Sequence, residues 1–350
     1  MNLNSVPKST FFCIVLVAAM AGLSAKKTLR SPKLHLSEYG FFNGRLADLQ
    51  PANHVFFYEV NAPLFTDYAE KSRFVYLPEG SKLGYQSTLA FDFPEGATII
   101  KNFFYALEVS SPQKGRKILE TRLLIREKNN WKALTYIWNE EQSDADAEVA
   151  GATLPVSWAD ASGSRHTLNY TVPNVNQCKG CHSYDGQFTP IGVTTRQLNK
   201  TIAGKNQLLA MYEKGILDLP EGFNPGTAPA LAEYLKTNLQ EQDKVALAAR
   251  AYLDGNCSHC HNAHGPASTS GMFLGADESD PERLGVGKPP VAAGRGSGKR
   301  KFGIVPGKPD QSILVYRMES NDPGIRMPEL GRQLAHKEGL DIIKAWIKGM

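Results

Sequence analysis

The chain has 350 residues, 42% of them hydrophobic and 21% charged, with a formal net charge of +4 at pH 7. That balance excludes a disordered chain and supports buried cores in two or three domains. The charge is too mild for a nucleic-acid binder, and it drops by one if Lys8 leaves with a leader.

Lys8 precedes an apolar run from Phe11 to Leu23, followed by Leu23-Ser24-Ala25 and Lys26-Lys27. A basic start, an apolar core of about 13 residues and a small-residue end read as an export leader over residues 1–25. The core falls short of the ~20 residues that span a bilayer. Leu23 stands where a cleaved leader usually carries a smaller residue, so an uncleaved N-terminal anchor is the alternative. Cys13 lies too deep in the apolar run for lipid attachment, and no other stretch reads as a membrane span. The expectation is a periplasmic chain with no membrane span after leader removal.

Residues 26–172 read as β-rich. Val55–Val60 and Arg73–Leu77 are short runs of β-branched and aromatic residues, punctuated by Asn61-Ala62-Pro63 and Pro78-Glu79-Gly80. Ile118–Arg126 alternates in part, and Asn129-Asn130 leads into Trp131–Trp138 as a hairpin. The expectation is an antiparallel sheet or small sandwich. Glu140, Glu141, Asp144, Asp146 and Glu148 form an acidic cluster without the glycine and closing glutamate of a calcium loop, and read as solvated. Tyr58, Asp67, Lys71 and Lys101 show no nucleophile–base spacing.

Cys178-Lys179-Gly180-Cys181-His182 then appears, and the pattern recurs as Cys257-Ser258-His259-Cys260-His261. C-x-x-C-H is the attachment signal of a c-type haem: two thiols form thioethers with the vinyl groups and the adjoining imidazole ligates the iron. Two zinc knuckles are the competing reading, but zinc needs no His directly after each pair, and the chain has only 8 His. The expectation is two covalent haems on Cys178, Cys181, Cys257 and Cys260, with His182 and His261 as iron ligands. Cys13 is the remaining cysteine, so no pair is left for a disulfide.

The first haem segment, residues 173–240, is expected to carry helices at Asn206–Lys214 and Thr227–Asn238. Its sixth iron ligand is open among Met211, His166, His54 or none, with Met211 reading as a core residue. The second segment, residues 241–350, begins with a helix over Glu241–Asp254, then a glycine-rich stretch, a short helix around Ser312–Met318, Arg326-Met327-Pro328 and a C-terminal amphipathic helix. Met272 and Met318 read as core; His259 and His264 read as exposed loop residues. Lys288–Lys301, with Arg295, Lys299 and Arg300, is a basic run that reads as a solvated loop or as a docking patch for an acidic redox partner.

A helix into C-x-x-C-H, a Met-Pro loop and a closing helix resemble a class I cytochrome c domain; the resemblance implies Met327 as distal ligand of the second haem. The mature chain also resembles bacterial dihaem c-type cytochromes with a β-rich N-terminal segment. That resemblance rests on Asn61–Asp67 with Lys71-Ser72-Arg73, Phe91–Gly96, Glu120–Leu124, Tyr136–Asn139 and Thr195–Asn199. It implies export and redox function without naming a reaction.

The fold expectation is therefore α+β and multidomain: an N-terminal β domain followed by two mainly α-helical cytochrome c-like haem domains. The functional expectation is electron transfer between redox proteins through two haems. One alternative is a dihaem peroxidase-type enzyme with an open iron site at the first haem, although Cys178 and Cys257 lie close together for that class. The other is a redox module whose β domain binds a ligand.

Overall fold

Stretches rich in β-branched and aromatic residues form one six-stranded sheet: β1 (Val55–Tyr58), β2 (Glu70–Tyr76), β3 (Thr98–Ala106), β4 (Arg116–Arg126), β5 (Trp131–Trp138) and β6 (Ala145–Glu148). Consecutive strands pair antiparallel in chain order. The computed structural model describes Met1, residues 32–111 and residues 114–350; apart from Met1, the expected leader with Lys8 and Cys13 lies outside the described residues. Among the described residues, no helix is long and apolar enough to cross a membrane.

The pleat sends alternate residues to opposite faces. One face buries Phe74, Ile100, Leu123 and Tyr136 under Leu36, Phe41 and Phe42 of the N-terminal segment. The other buries Val75 and Ile99 under Leu198, Leu208, Met211 and Ile216. Each such side chain contributes about 1.5–3 kcal/mol by leaving water. A hairpin of β7 (Ala152–Ala159) and β8 (Arg165–Val172) packs Val156, Trp158 and Tyr170 against Tyr105 and Leu119 of the sheet. Asp144 of the acidic cluster accepts hydrogen bonds from the Ser37 backbone N–H and hydroxyl, and Asp146 bonds the His35 ring. Those two carboxylates tie down the N-terminal segment.

Two mainly helical haem domains do not form. Strand makes up 26% and helix, 3-10 turns included, 23%, and the described residues hold six short α-helices. These are α1 (Val175–Cys181), α2 (Thr195–Leu198), α3 (Gln207–Glu213), α4 (Gln242–Asn256), α5 (Ile313–Glu319) and α6 (Lys337–Lys348). The physical reason lies in the residues between them. Over Thr227–Asn238 only a 3-10 turn at Tyr234–Lys236 forms, because Pro225 and Pro229 cannot donate and the Asn199 amide takes the carbonyls of Pro225 and Ala228. Glycines punctuate residues 257–312, where no α-helix forms. Nor does the first haem segment hold a core of its own: most of its buried apolar residues close the sheet, and Lys33–Met350 packs as one unit.

The loop from Asn61 to Ala69 joins these parts. Asn61 donates to the Arg196 and Asn199 carbonyls, and the Gln197 side chain bonds both the N–H and the C=O of Ala62. Phe65 N–H donates to Asn256 Oδ1 at 2.7 Å, and the Asp67 carboxylate accepts the N–H groups of Gln333 and Leu334 at 2.7 and 2.8 Å. The Gly255 Cα faces Ala62, where an added Cβ would meet the Ala62 carbonyl oxygen at 2.5 Å, so only glycine allows α4 to approach this loop.

His336 completes the junction, stacked on Phe65 at 4.1 Å and near Tyr252 and Tyr234. Burial pushes its pKa down to about 4; Glu338 opposes that shift, while Lys71 and Arg332 add to it. Below pH 6.5 the unfolded chain takes up a proton that the folded chain refuses until about pH 4. Stability is therefore full above that window and falls as pH drops through it, by up to about 3 kcal/mol. Denaturant unfolding at pH 7 and pH 4.5 is expected to show this loss in the parent and a smaller one in His336→Gln; equal losses would refute it.

Candidate functional site

Helix α1 starts on a reciprocal cap: Asn174 Oδ1 accepts the Gln177 N–H and Gln177 Oε1 accepts the Asn174 N–H, each at 2.9 Å. The cap sets Cys178 and Cys181, three residues apart, on one helical face. His182 ends the helix, stacked on Phe188 at 4.9 Å. Its Nδ1 lies 2.8 Å from the Thr189 carbonyl oxygen. A carbonyl only accepts, so Nδ1 carries the hydrogen and Nε2 keeps its lone pair. Burial pushes the His182 pKa down to about 3, which holds the ring neutral, the form that ligates iron.

The second motif follows α4 directly. The His261 N–H donates to the Cys257 carbonyl at 2.9 Å, and His261 Nδ1 lies 3.3 Å from Ser270 Oγ. Burial pushes His261 down to about 4 and the Cys257 thiol up to about 12. Cys257 packs against the core of α4, α5 and α6.

The two motifs abut. Ligand atoms of Cys181, His259 and Cys260 lie within 4.8 Å of one another. The close approach of the two sulfurs draws the Cys181 pKa down and drives that of Cys260 up. Among the described residues this is the one group of metal-ligand character. It offers three ligands where structural zinc takes four, and it leaves out both histidines that follow the motifs.

Cys178, Cys181 and His182 open onto a cavity of about 440 Å³, within the size range of cofactor pockets. Apolar walls come from Ile99, Leu124, Pro190 and Ile191, and Ser258 and His259 of the second motif close one side. The floor is the sheet. Strand register sets Tyr58 opposite Arg73, Arg73 opposite Lys101, and Lys101 opposite Arg122. Three cations thus stand in one cross-strand row beneath the first motif, and all three line the cavity. Like charges directly opposite one another are destabilising. Burial, with Arg73 and Arg122 beside it, pushes the Lys101 pKa down to about 7, and burial lowers that of Arg73. Burial also opposes the Arg122 charge, but the Glu120 carboxylate, bonded at 2.5 and 2.8 Å, outweighs it.

Thiols, an oriented imidazole, apolar walls and a cationic floor fit a haem at the first motif. Cys257, Cys260 and His261 do not line this cavity. None of the sixth-ligand candidates does either. Met211 is buried in the sheet core, His166 pairs with Asp160 at 2.7 Å on the β7–β8 hairpin, and His54 is exposed. Among the described residues, no methionine lines the cavity. Met272 and Met318 pack with the helical core, as their apolar settings suggest. The Met327 N–H donates to the Arg317 carbonyl, and its own carbonyl accepts from the buried Arg332 guanidinium at 2.7 Å. Pro328, Leu330 and Arg332 of the same loop reach the cavity wall, with Leu330 against Gly180.

His264 is the exposed loop residue expected, whereas His259 is half-buried. Both line the cavity; His264 bonds Asp185 at 2.9 Å and stacks on Tyr184, and His259 keeps a buried Nδ1 without a partner. In the basic run, Arg295 pairs with Asp322 and Arg300 lies over Tyr316, while Lys299 and Lys301 are exposed. Neither family models, curated proteins nor solved structures match this chain.

Proposed function

We propose that this chain is an exported dihaem c-type cytochrome that relays single electrons between redox proteins in the periplasm. One observation carries the reading: the Cys178–Cys181 pair and an imidazole with a free Nε2 face a cofactor-sized cavity, with the second C-x-x-C-H run against it at Cys181 and Cys260. Haem iron supplies one-electron exchange between its ferric and ferrous forms. The chain's own residues orient the imidazoles, exclude water through the apolar walls and hold the two attachment sites in contact. With haem bound at both motifs, electrons would pass between redox proteins through these adjoining sites. The exposed cations Lys299 and Lys301 suit docking of an acidic partner. In this reading Met327 serves the second haem, its loop clamped by Arg332.

A second reading, peroxide chemistry at the first haem, draws on the absence of methionine from the cavity wall among the described residues. Both are tested on full-length protein made in a host that attaches haem. Pyridine haemochrome and metal analysis are expected to give two haems per chain, with thioether–iron absorption from one of them. A haem-free chain with stoichiometric zinc would overturn the haem assignment. A high-spin first haem that turns over peroxide would favour the second reading.

A further inference from the structure

The cation row beneath the first motif is not explained by the protein around it. Arg122 has Glu120 as its partner, but Arg73 and Lys101 have no carboxylate within salt-bridge distance among the described residues. Arg73 makes one long contact, 3.4 Å to the Lys71 carbonyl, and Lys101 makes no hydrogen bond, lying 5.3 Å from the Phe103 ring. The same ring also receives Lys71 and Arg122, at 5.7 and 4.2 Å. A cation–π contact offsets only part of the cost of taking a charged group out of water. Two of three side-by-side, half-buried cations therefore lack a carboxylate partner among the described residues, and both face the cavity.

We propose that the Arg73–Lys101–Arg122 row is a carboxylate clamp that takes the two propionates of the haem attached at Cys178 and Cys181. The proposal rests on the haem reading above. Two unpaired cations match two monoanionic groups on one edge of a tetrapyrrole, and Arg122, already held flat by Glu120, keeps donors for a shared contact. The sheet fixes the spacing, since neighbouring strands set the cations at steps of about 4.8 Å. A free oxyanion has the same chemistry, and the experiment separates the two sources.

The test is spectroelectrochemical titration of the full-length, haem-loaded protein, with haem content checked in every sample. In Arg73→Gln/Lys101→Gln, the propionates lose their counter-charges, so negative charge near the iron favours the ferric form. The midpoint potential of one haem is expected to fall while the other holds. Arg73→Lys/Lys101→Arg is expected to restore the parent value. Lys101→Gln alone is expected to give a smaller fall, which keeps the test available if the double variant does not fold. Inorganic phosphate is expected to leave the parent potentials unmoved. Two haems whose potentials ignore the substitutions would overturn the clamp alone. A saturable phosphate shift, abolished in Lys101→Gln, would make the row a free-oxyanion site and also overturn it. A haem-free parent chain would overturn the underlying haem reading and, with it, the clamp.

Discussion

Replacing Cys178 and Cys181 together by alanine is expected to take the chain from two covalent haems to one, and to leave the haem that shows thioether–iron absorption. The converse pair, Cys257→Ala with Cys260→Ala, is expected to leave one haem without that absorption, because no methionine among the described residues lines the first cavity. The two losses are unequal in stability as well. Emptying the first site leaves a cavity of about 440 Å³. At about 24 cal/mol per Å³, a dry void of that size would cost on the order of 10 kcal/mol, comparable to the whole stability of a domain. Water entering on the polar side relieves part of this, so the expected loss is several kcal/mol. The emptied site also exposes the repulsion within the Arg73, Lys101 and Arg122 row, in which only Arg122 has a carboxylate partner. Haemochrome assay and thermal unfolding of both double variants check the pattern. Equal absorption in the two remaining haems would overturn the assignment of Met327.

Much of the site was legible because local chemistry writes it into adjacent residues. A C-x-x-C-H run needs no tertiary knowledge, and α4 and α6 follow from their own periodicity. Strands β1, β2, β4 and β5 form where β-branched and aromatic residues cluster. Helical haem domains do not form because residues 173–240 do not pack as a separate body. Most of their buried apolar side chains close the sheet, and side-chain amides such as Asn199 hold non-helical backbone where the sequence suggests a helix. The cation row was invisible for a different reason. Tyr58, Arg73, Lys101 and Arg122 are remote in sequence, and only strand register sets them abreast. Lys101 was therefore unremarkable as one lysine in a β run. The setting of His259 is not legible in sequence either, because a motif spacer position says nothing of what packs across from it, which is Cys181 of the other motif. Asp67 escaped similarly, since its partners lie at the far end of the chain.

Asp67→Ala is expected to lower stability by about 2–5 kcal/mol and to weaken thioether ligation of the second haem at the same time. The carboxylate is buried and accepts the Gln333 N–H with both oxygens, at 2.7 and 2.9 Å, and the Leu334 N–H at 2.8 Å. Alanine leaves two buried donors unpaired, each worth about 1–3 kcal/mol. It also places a residue poorly suited to left-handed backbone at φ 48°, next to Tyr68 at φ 63°. The effect travels one residue further. Arg332, next to Gln333, holds the Met327 carbonyl through its Nε and Nη2 atoms, and those of Arg317, Met318 and Ser320 through Nη2. Once Gln333 and Leu334 are released, that guanidinium loses its fixed backbone, and the Met327 loop loses its clamp. Asp67→Asn retains one acceptor oxygen and tolerance of the left-handed conformation, so it is expected to lose less on both counts. Denaturant unfolding gives the stability change, and the thioether-to-ferric-iron absorption gives the ligation. A variant destabilised to the expected extent but with undiminished absorption would show that the loop keeps its position without Asp67, and that the Asn61–Ala69 junction supports the fold without reaching the second iron.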